Sequence, residues 1–190
     1  SIVYASADLT SIDVIDGGDG TDTMKQSDNT AMVDADFTNV TNVEVLSANS
    51  ATTSTVATIG AEAMEAGIRT VTFVDTGAGT DDLTVAAEFT AALTVNLDND
   101  TSGLNTVDAS AYTGVLTVKA NATDLNATTS VLTGGTSTSD VLAITADAAS
   151  AAIVTSITDI ENITVVGDAG AFNWTGANAN ADDGTTITVD

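Results

Sequence analysis

The chain reads as a mostly β protein, a parallel β-solenoid stacking rungs of about 20 residues. Three observations predict it. Val, Ile and Thr dominate the regular segments, and these β-branched residues suit strands and are stiff in helices. Short stretches alternate apolar and polar residues and are separated by Gly, Asn, Asp and Ser. A repeat also runs through the chain: Asp22, Asp81 and Asp140 are 59 residues apart, and each is followed two positions later by a large apolar residue, Met24, Leu83 or Leu142.

In order, the alternating stretches are Val71–Val74, Leu83–Val85, Leu93–Leu97, Val115–Val118, Leu142–Thr145, Ile160–Val166 and Thr186–Val189. One stretch reads differently. Ile59–Gly67 is rich in Ala, Glu and Met and closes on glycine, which predicts a single short helix stopped by Gly67. Ala148–Ile153 is either a helical turn or small residues at a tight corner. Proline is absent, and no compositional shift divides residues 1–190. They read as one repetitive domain with units of roughly 15–73, 74–132 and 133–190, three rungs to a unit, cut from or processed out of a longer chain. The competing architecture is a tandem pair of immunoglobulin-like sandwiches of about 95 residues each. The 59-residue period divides poorly into that length, and seven aromatic residues suit a narrow solenoid interior better than a sandwich core.

Net charge is −24, from 27 acids against Lys25, Arg69 and Lys119. Most of the acids are Asp, which favours turns and caps, rather than Glu, which favours helix surfaces. A hydrophobic content of 43% is too high for an acidic disordered tail. Nucleic acid and anionic lipid are excluded as partners by the charge, and no apolar run is long enough to insert in a membrane. Like charges at this density oppose compaction, so they are expected to be neutralised, either by dissolved salt or, more specifically, by bound divalent cations. With no cysteine, neither a disulfide nor a thiolate metal site is open to the chain.

The segment Gly17-Gly-Asp-Gly-Thr-Asp-Thr-Met24 matches the pattern Gly-Gly-x-Gly-x-Asp-x-apolar at every defined position. Glycines permit a tight bend with inward carbonyls, Asp22 offers a hard oxygen, and the apolar residue enters the core. Calcium accepts six to eight such oxygens. The candidate ligands are Asp16, Gly17, Asp19 and Asp22 in this bend. A second bend, Asp75 to Leu83, offers Asp75, Gly77, Asp81 and Asp82, and a third, Gly134 to Leu142, offers Asp140. Asp98 and Asp100 stand at alternate positions before Gly103, as at the start of an EF-hand loop, but Ala109 occupies the place of the closing Glu, which favours a plain turn. Asp182-Asp-Gly184 is a weaker candidate still.

These residues resemble the RTX (repeats-in-toxin) proteins and, more broadly, bacterial surface-layer and giant adhesin proteins with sparse RTX-like turns. The echo between Phe37–Leu46 and Val154–Ile163, offset by 117, looks like strands of those families, as does Leu104–Val118. Only residues 16–24 match the motif strictly, and the bends lie 59 residues apart rather than in tandem. The resemblance implies an extracellular, calcium-stabilised structural protein that associates with itself in a surface layer, matrix or adhesive filament. The alternative is a ligand-binding module of a large secreted adhesin, or an RTX-type secretion domain, with surface polysaccharide as a candidate ligand. Catalysis is not expected. Without His or Cys the usual general base and thiolate nucleophile are missing, and the Asp81/Asp82 pair lacks the aromatic and basic neighbours a sugar site would need. Sequons begin at Asn39, Asn99, Asn121, Asn126, Asn162 and Asn173.

Overall fold

A computed structural model describes residues 1–4, 8–28, 30–48, 56–74, 81–97, 105–122, 124–125, 130–145, 152–153, 156–167, 173–174 and 186–189. The strands in chain order are β1 (Ile2–Tyr4), β2 (Ile15–Asp16), β3 (Thr23–Gln26), β4 (Val40–Thr41), β5 (Val45–Ala48) and β6 (Val56–Ile59). After the helix α1 (Ala61–Glu65) come β7 (Thr70–Phe73), β8 (Asp81–Val85), β9 (Leu93–Asn96), β10 (Asn105–Asp108), β11 (Leu116–Asn121) and β12 (Val131–Thr133). The last six are β13 (Val141–Thr145), β14 (Ala152–Ile153), β15 (Ser156–Thr158), β16 (Asn162–Val166), β17 (Asn173–Trp174) and β18 (Thr186–Val189).

Every strand pairing among the described residues is parallel, and the strands wind as a β-solenoid. A long sheet runs β1-β3-β5-β7-β9-β11-β13-β16-β18, and a short sheet runs β15-β12-β10-β8-β6. Steps along the long sheet range from the 21 residues between Val141 and its partner Asn162 to the 25 between Val45 and Thr70. Eight such steps at about 4.8 Å give a ladder roughly 38 Å long.

The alternation places one column of each strand inside. Met24, Leu46, Val71, Val95, Val118, Leu142 and Ile163 stack in register along the long sheet, all buried. Ala57, Leu83, Val107, Leu132 and Ile157 form the matching column of the short sheet. Both columns belong to one hydrophobic cluster, so the two sheets face each other across a shared core. Fully burying a Leu, Ile or Val side chain stabilises by about 1.5–3 kcal/mol, and this core does so without a disulfide.

The rungs are longer than expected, roughly 24 residues rather than 20. The 59-residue period therefore spans about two and a half rungs, not three. Asp22 and Asp140 precede strands of the long sheet, whereas Asp81 opens β8 in the short sheet on the other side of the core. The motif marks a strand start in either sheet, because both need a bend followed by an inward apolar residue.

The predicted helix is present as α1, and its ends are well defined. Gly67 adopts φ +107°, its N–H donates to the Met64 carbonyl, and the Ile68 N–H donates to that of Ala63. This is a Schellman closure, which needs a residue in the left-handed region. The Arg69 guanidinium adds bonds to the carbonyls of Met64 and Ile68 at 3.0 and 2.6 Å. The opposite end is capped from the neighbouring rung, where the Asp34 carboxylate accepts the N–H groups of Gly60, Glu62 and Ala63 at 2.6, 3.1 and 2.9 Å. Of the Ala148–Ile153 stretch, Ala152–Ile153 is strand and the rest lies outside the described residues. No helix among the described residues is long and apolar enough to cross a membrane.

Candidate functional site

The chain enters the long sheet through a recurring corner. Four residues with positive φ each stand three positions before a strand: Gly20 before β3, Asn42 before β5, Gly67 before β7 and Asp159 before β16. Asn42 and Asp159 both hold φ at 54°, where short polar side chains are tolerated better than most. Each of these two receives a glycine from the preceding rung. A Cβ on Gly17 would meet the Asn42 carbonyl oxygen at 1.9 Å, and one on Gly134 would meet that of Asp159 at 1.7 Å. The two corners correspond at an offset of 117, the interval of the echo in the sequence.

The aspartates of the motif continue the inward column. Asp140 is fully buried, and its Oδ1 accepts the Leu116 N–H at 2.9 Å while Oδ2 accepts the Gly135 N–H at 2.7 Å. It thus ties its own bend to the strand one rung earlier. A glutamate on the following rung holds its amide in turn: the Asp140 N–H donates to Glu161 Oε2 at 3.1 Å. The first corner repeats this, with the Asp22 N–H donating to Glu44 Oε2 at 2.8 Å.

The first bend is the more open. Gly18 (φ +85°) and Gly20 (φ +115°) have empty space where a Cβ would project. Asp16 Oδ1 accepts the Gly18 N–H at 3.0 Å and the Asn42 side-chain amide at 2.8 Å. The Asn42 amide, then the Gly18 N–H, hold the exposed Asp16 carboxyl below its ordinary range. Asp19 is exposed at the tip, and Asp22 is half-buried at its base.

Of the sequence-predicted ligands, Asp16, Gly17, Asp19 and Asp22 share one bend. Asp81, fully buried, and Asp82, half-buried, open β8 on the short sheet, far from that corner in the winding. Asp75, Gly77, Asp98 and Asp100 lie outside the described residues, as does Asp182-Asp-Gly184. Among the described residues no three acidic groups converge closely enough to hold a metal by themselves. The first corner still suits a hard cation in chemistry, being acidic and solvent-facing. Asp140 does not. Both its oxygens face N–H donors, where a calcium shell would present oxygens.

Three sets of partners, four residues in all, escaped the reading of the sequence. Glu44 and Glu161 occupy equal places in the 117-offset echo, and that equality was the available signal. Asp34 gave none, because its partners sit more than 25 residues away on the next rung. Tyr112 is the third. It is fully buried with its hydroxyl donating to the Ala91 carbonyl, a second contact to the Val115 carbonyl at 3.2 Å, and its ring edge-on to Phe89 with centroids 6.0 Å apart. Compared with protein-family models, curated proteins and solved structures, the chain matches none.

Proposed function

We propose that this chain is a structural, extracellular building block, a calcium-stabilised rod that associates with itself into a surface layer, matrix or adhesive filament. The observation that carries the proposal is the unbroken nine-stranded parallel ladder in a chain of net charge −24. Such a polyanion has a rigid, cysteine-free core but repels itself along its length. Cations that bind only the native chain relieve that repulsion and add to its stability.

Calcium in the first corner would be held by a carboxylate of the bend, Asp22 at its base or Asp19 at its tip, with carbonyls of the Gly17–Gly20 bend and water completing the shell, since three carboxylates do not converge there. The metal would supply charge neutralisation and a cross-link between turn and strand. The chain's own contribution is to keep Asp16 ionised, through Asn42, and to fix Asp22 at the strand entrance, through Glu44. Asp140 is left out of this site.

Calorimetric calcium titration combined with melting in calcium and in chelator tests the metal. A site in use gives saturable heat and a calcium-dependent rise in Tm, about 2.7 kcal/mol of added stability at a hundredfold excess over Kd. Negative-stain microscopy tests the assembly, with regular lattices or fibres expected in calcium. No heat, no shift in Tm and single particles under both conditions would overturn the proposal.

A further inference from the structure

None of the nine strands of the long sheet contains Asp or Glu, although the chain holds 27 of them. Two of the three cations of the chain stand on this sheet's outward face. Lys25 and Lys119 occupy the same outward column, through the register Lys25↔Ser47↔Thr72↔Asn96↔Lys119. Among the described residues neither lysine has a salt-bridge partner. The adjoining outward column includes Thr70, Thr94 and Thr117 in register, so the strands of this face carry polar and β-branched residues without carboxylates, and only Ser47 of the lysine column is buried.

The outward face of the short sheet has the opposite charge. Asp82 and Asp108 project from neighbouring strands, and Val56 and Val131 are 37% and 36% exposed beside them. The Asp108 carboxylate is held in place by the N–H and hydroxyl of Ser110 at 3.0 and 2.7 Å. Both sheets bury their inner columns in one core, so these two outer faces point away from each other.

We infer that the long-sheet face of one copy docks on the short-sheet face of a second copy, front to back. This rests on the self-association proposed above and names its surfaces. On so acidic a chain, the carboxylate-free face is where a second copy approaches without setting acid against acid. Lys119 complements Asp82 and Asp108, which stand on adjacent strands, while Lys25, four strand steps away, keeps that part of the face free of negative charge. The contact is heterologous, so it leaves both outer faces open for the next copy and propagates rather than closing into a dimer. Four steps between the five strands of the short sheet span only about 19 Å along the ladder, a small footprint that makes each contact weak and reversible.

The test is sedimentation velocity over a concentration series, in calcium and in chelator, on the parent, Lys119→Glu, Lys25→Glu, Asp108→Lys and the double variant Lys119→Glu/Asp108→Lys. Far-UV dichroism and melting confirm that each is folded. The parent is expected to associate reversibly, each lysine variant to associate about tenfold more weakly, and the double variant to recover relative to Lys119→Glu. Association in calcium that neither lysine variant changes, or a double variant that recovers nothing, overturns the inference and leaves the wider proposal standing. Association in chelator that is lost in the lysine variants supports the inference and removes calcium from the assembly step. A parent that stays monomeric throughout overturns both. A monomer retained on insoluble neutral polysaccharide through the same lysines also overturns the inference, in favour of a glycan occupant.

Discussion

Gly134 passes beneath the carbonyl of Asp159 with room for a hydrogen and nothing larger. The contact is backbone to backbone, so the neighbour cannot yield by turning a side chain. Gly134→Ala should therefore cost about 3 kcal/mol, and Gly17→Ala under Asn42 a similar amount. Gly18→Ala is the control. It meets open space and suffers only from its φ of +85°, so its cost should be about 1 kcal/mol. Urea denaturation of the three variants checks the ranking.

The inter-rung cap of α1 predicts a second effect. Asp34→Ala removes the acceptor for three amides at once and should destabilise by about 2 kcal/mol. Asp34→Asn keeps one oxygen and should lose roughly half as much. Hydrogen exchange should show the loss first at the amides of Gly60, Glu62 and Ala63.

Asp140 separates structural from metal-binding roles. Asp140→Ala strands the buried N–H groups of Leu116 and Gly135, at a cost of about 2–4 kcal/mol. Asp140→Asn should retain the calcium affinity of the parent by calorimetry, since the carboxylate is taken up by amides. Asp22→Asn should lose affinity.

Much of the ladder could be read from the chain. The alternation around Val71, Leu83, Leu93, Val118, Leu142, Ile163 and Thr186 coincides with strands, and Gly67 ends its helix as its position implied. The rung length could not be read, because the Asp-x-apolar signature begins strands in both sheets and does not say which. The corner partners were hidden for a related reason. Gly17 with Asn42, Asp34 with Gly60 and Asp140 with Leu116 are separated by a full rung, and local pattern carries no information across that distance. Of the candidate residues, Asp16 to Asp22 were legible as one bend, and the burial of Asp140 among amides follows from its inward parity with Leu142.

Tyr112 predicts an alkaline limit. Burial, reinforced by the charge of Asp140, pushes its phenol up to about 12. The neutral form is favoured in the folded chain, so its contribution is complete below the unfolded value near 10 and is lost as pH rises from there through about 12. Urea midpoints at pH 9 and pH 11 should differ more for the parent than for Tyr112→Phe. At neutral pH that variant should lose about 1–2 kcal/mol with the bond to Ala91.

Asp16 behaves in the opposite sense. Its lowered value means the contribution is present above the ordinary carboxylate range and is lost as pH falls through the folded value. Asn42→Gly removes the amide donor while easing the positive φ. Carboxylate NMR titration should then find the Asp16 midpoint moved upward.

A period of two and a half rungs behaves as a screw operation and not as a translation. Splicing one more 59-residue block into the middle would rotate everything downstream by half a revolution about the rod's long axis. A threonine stripe on the front of the first half would continue on the back of the second. Only an even number of blocks preserves the phase, so lengthening by whole blocks proceeds in steps near 118 residues.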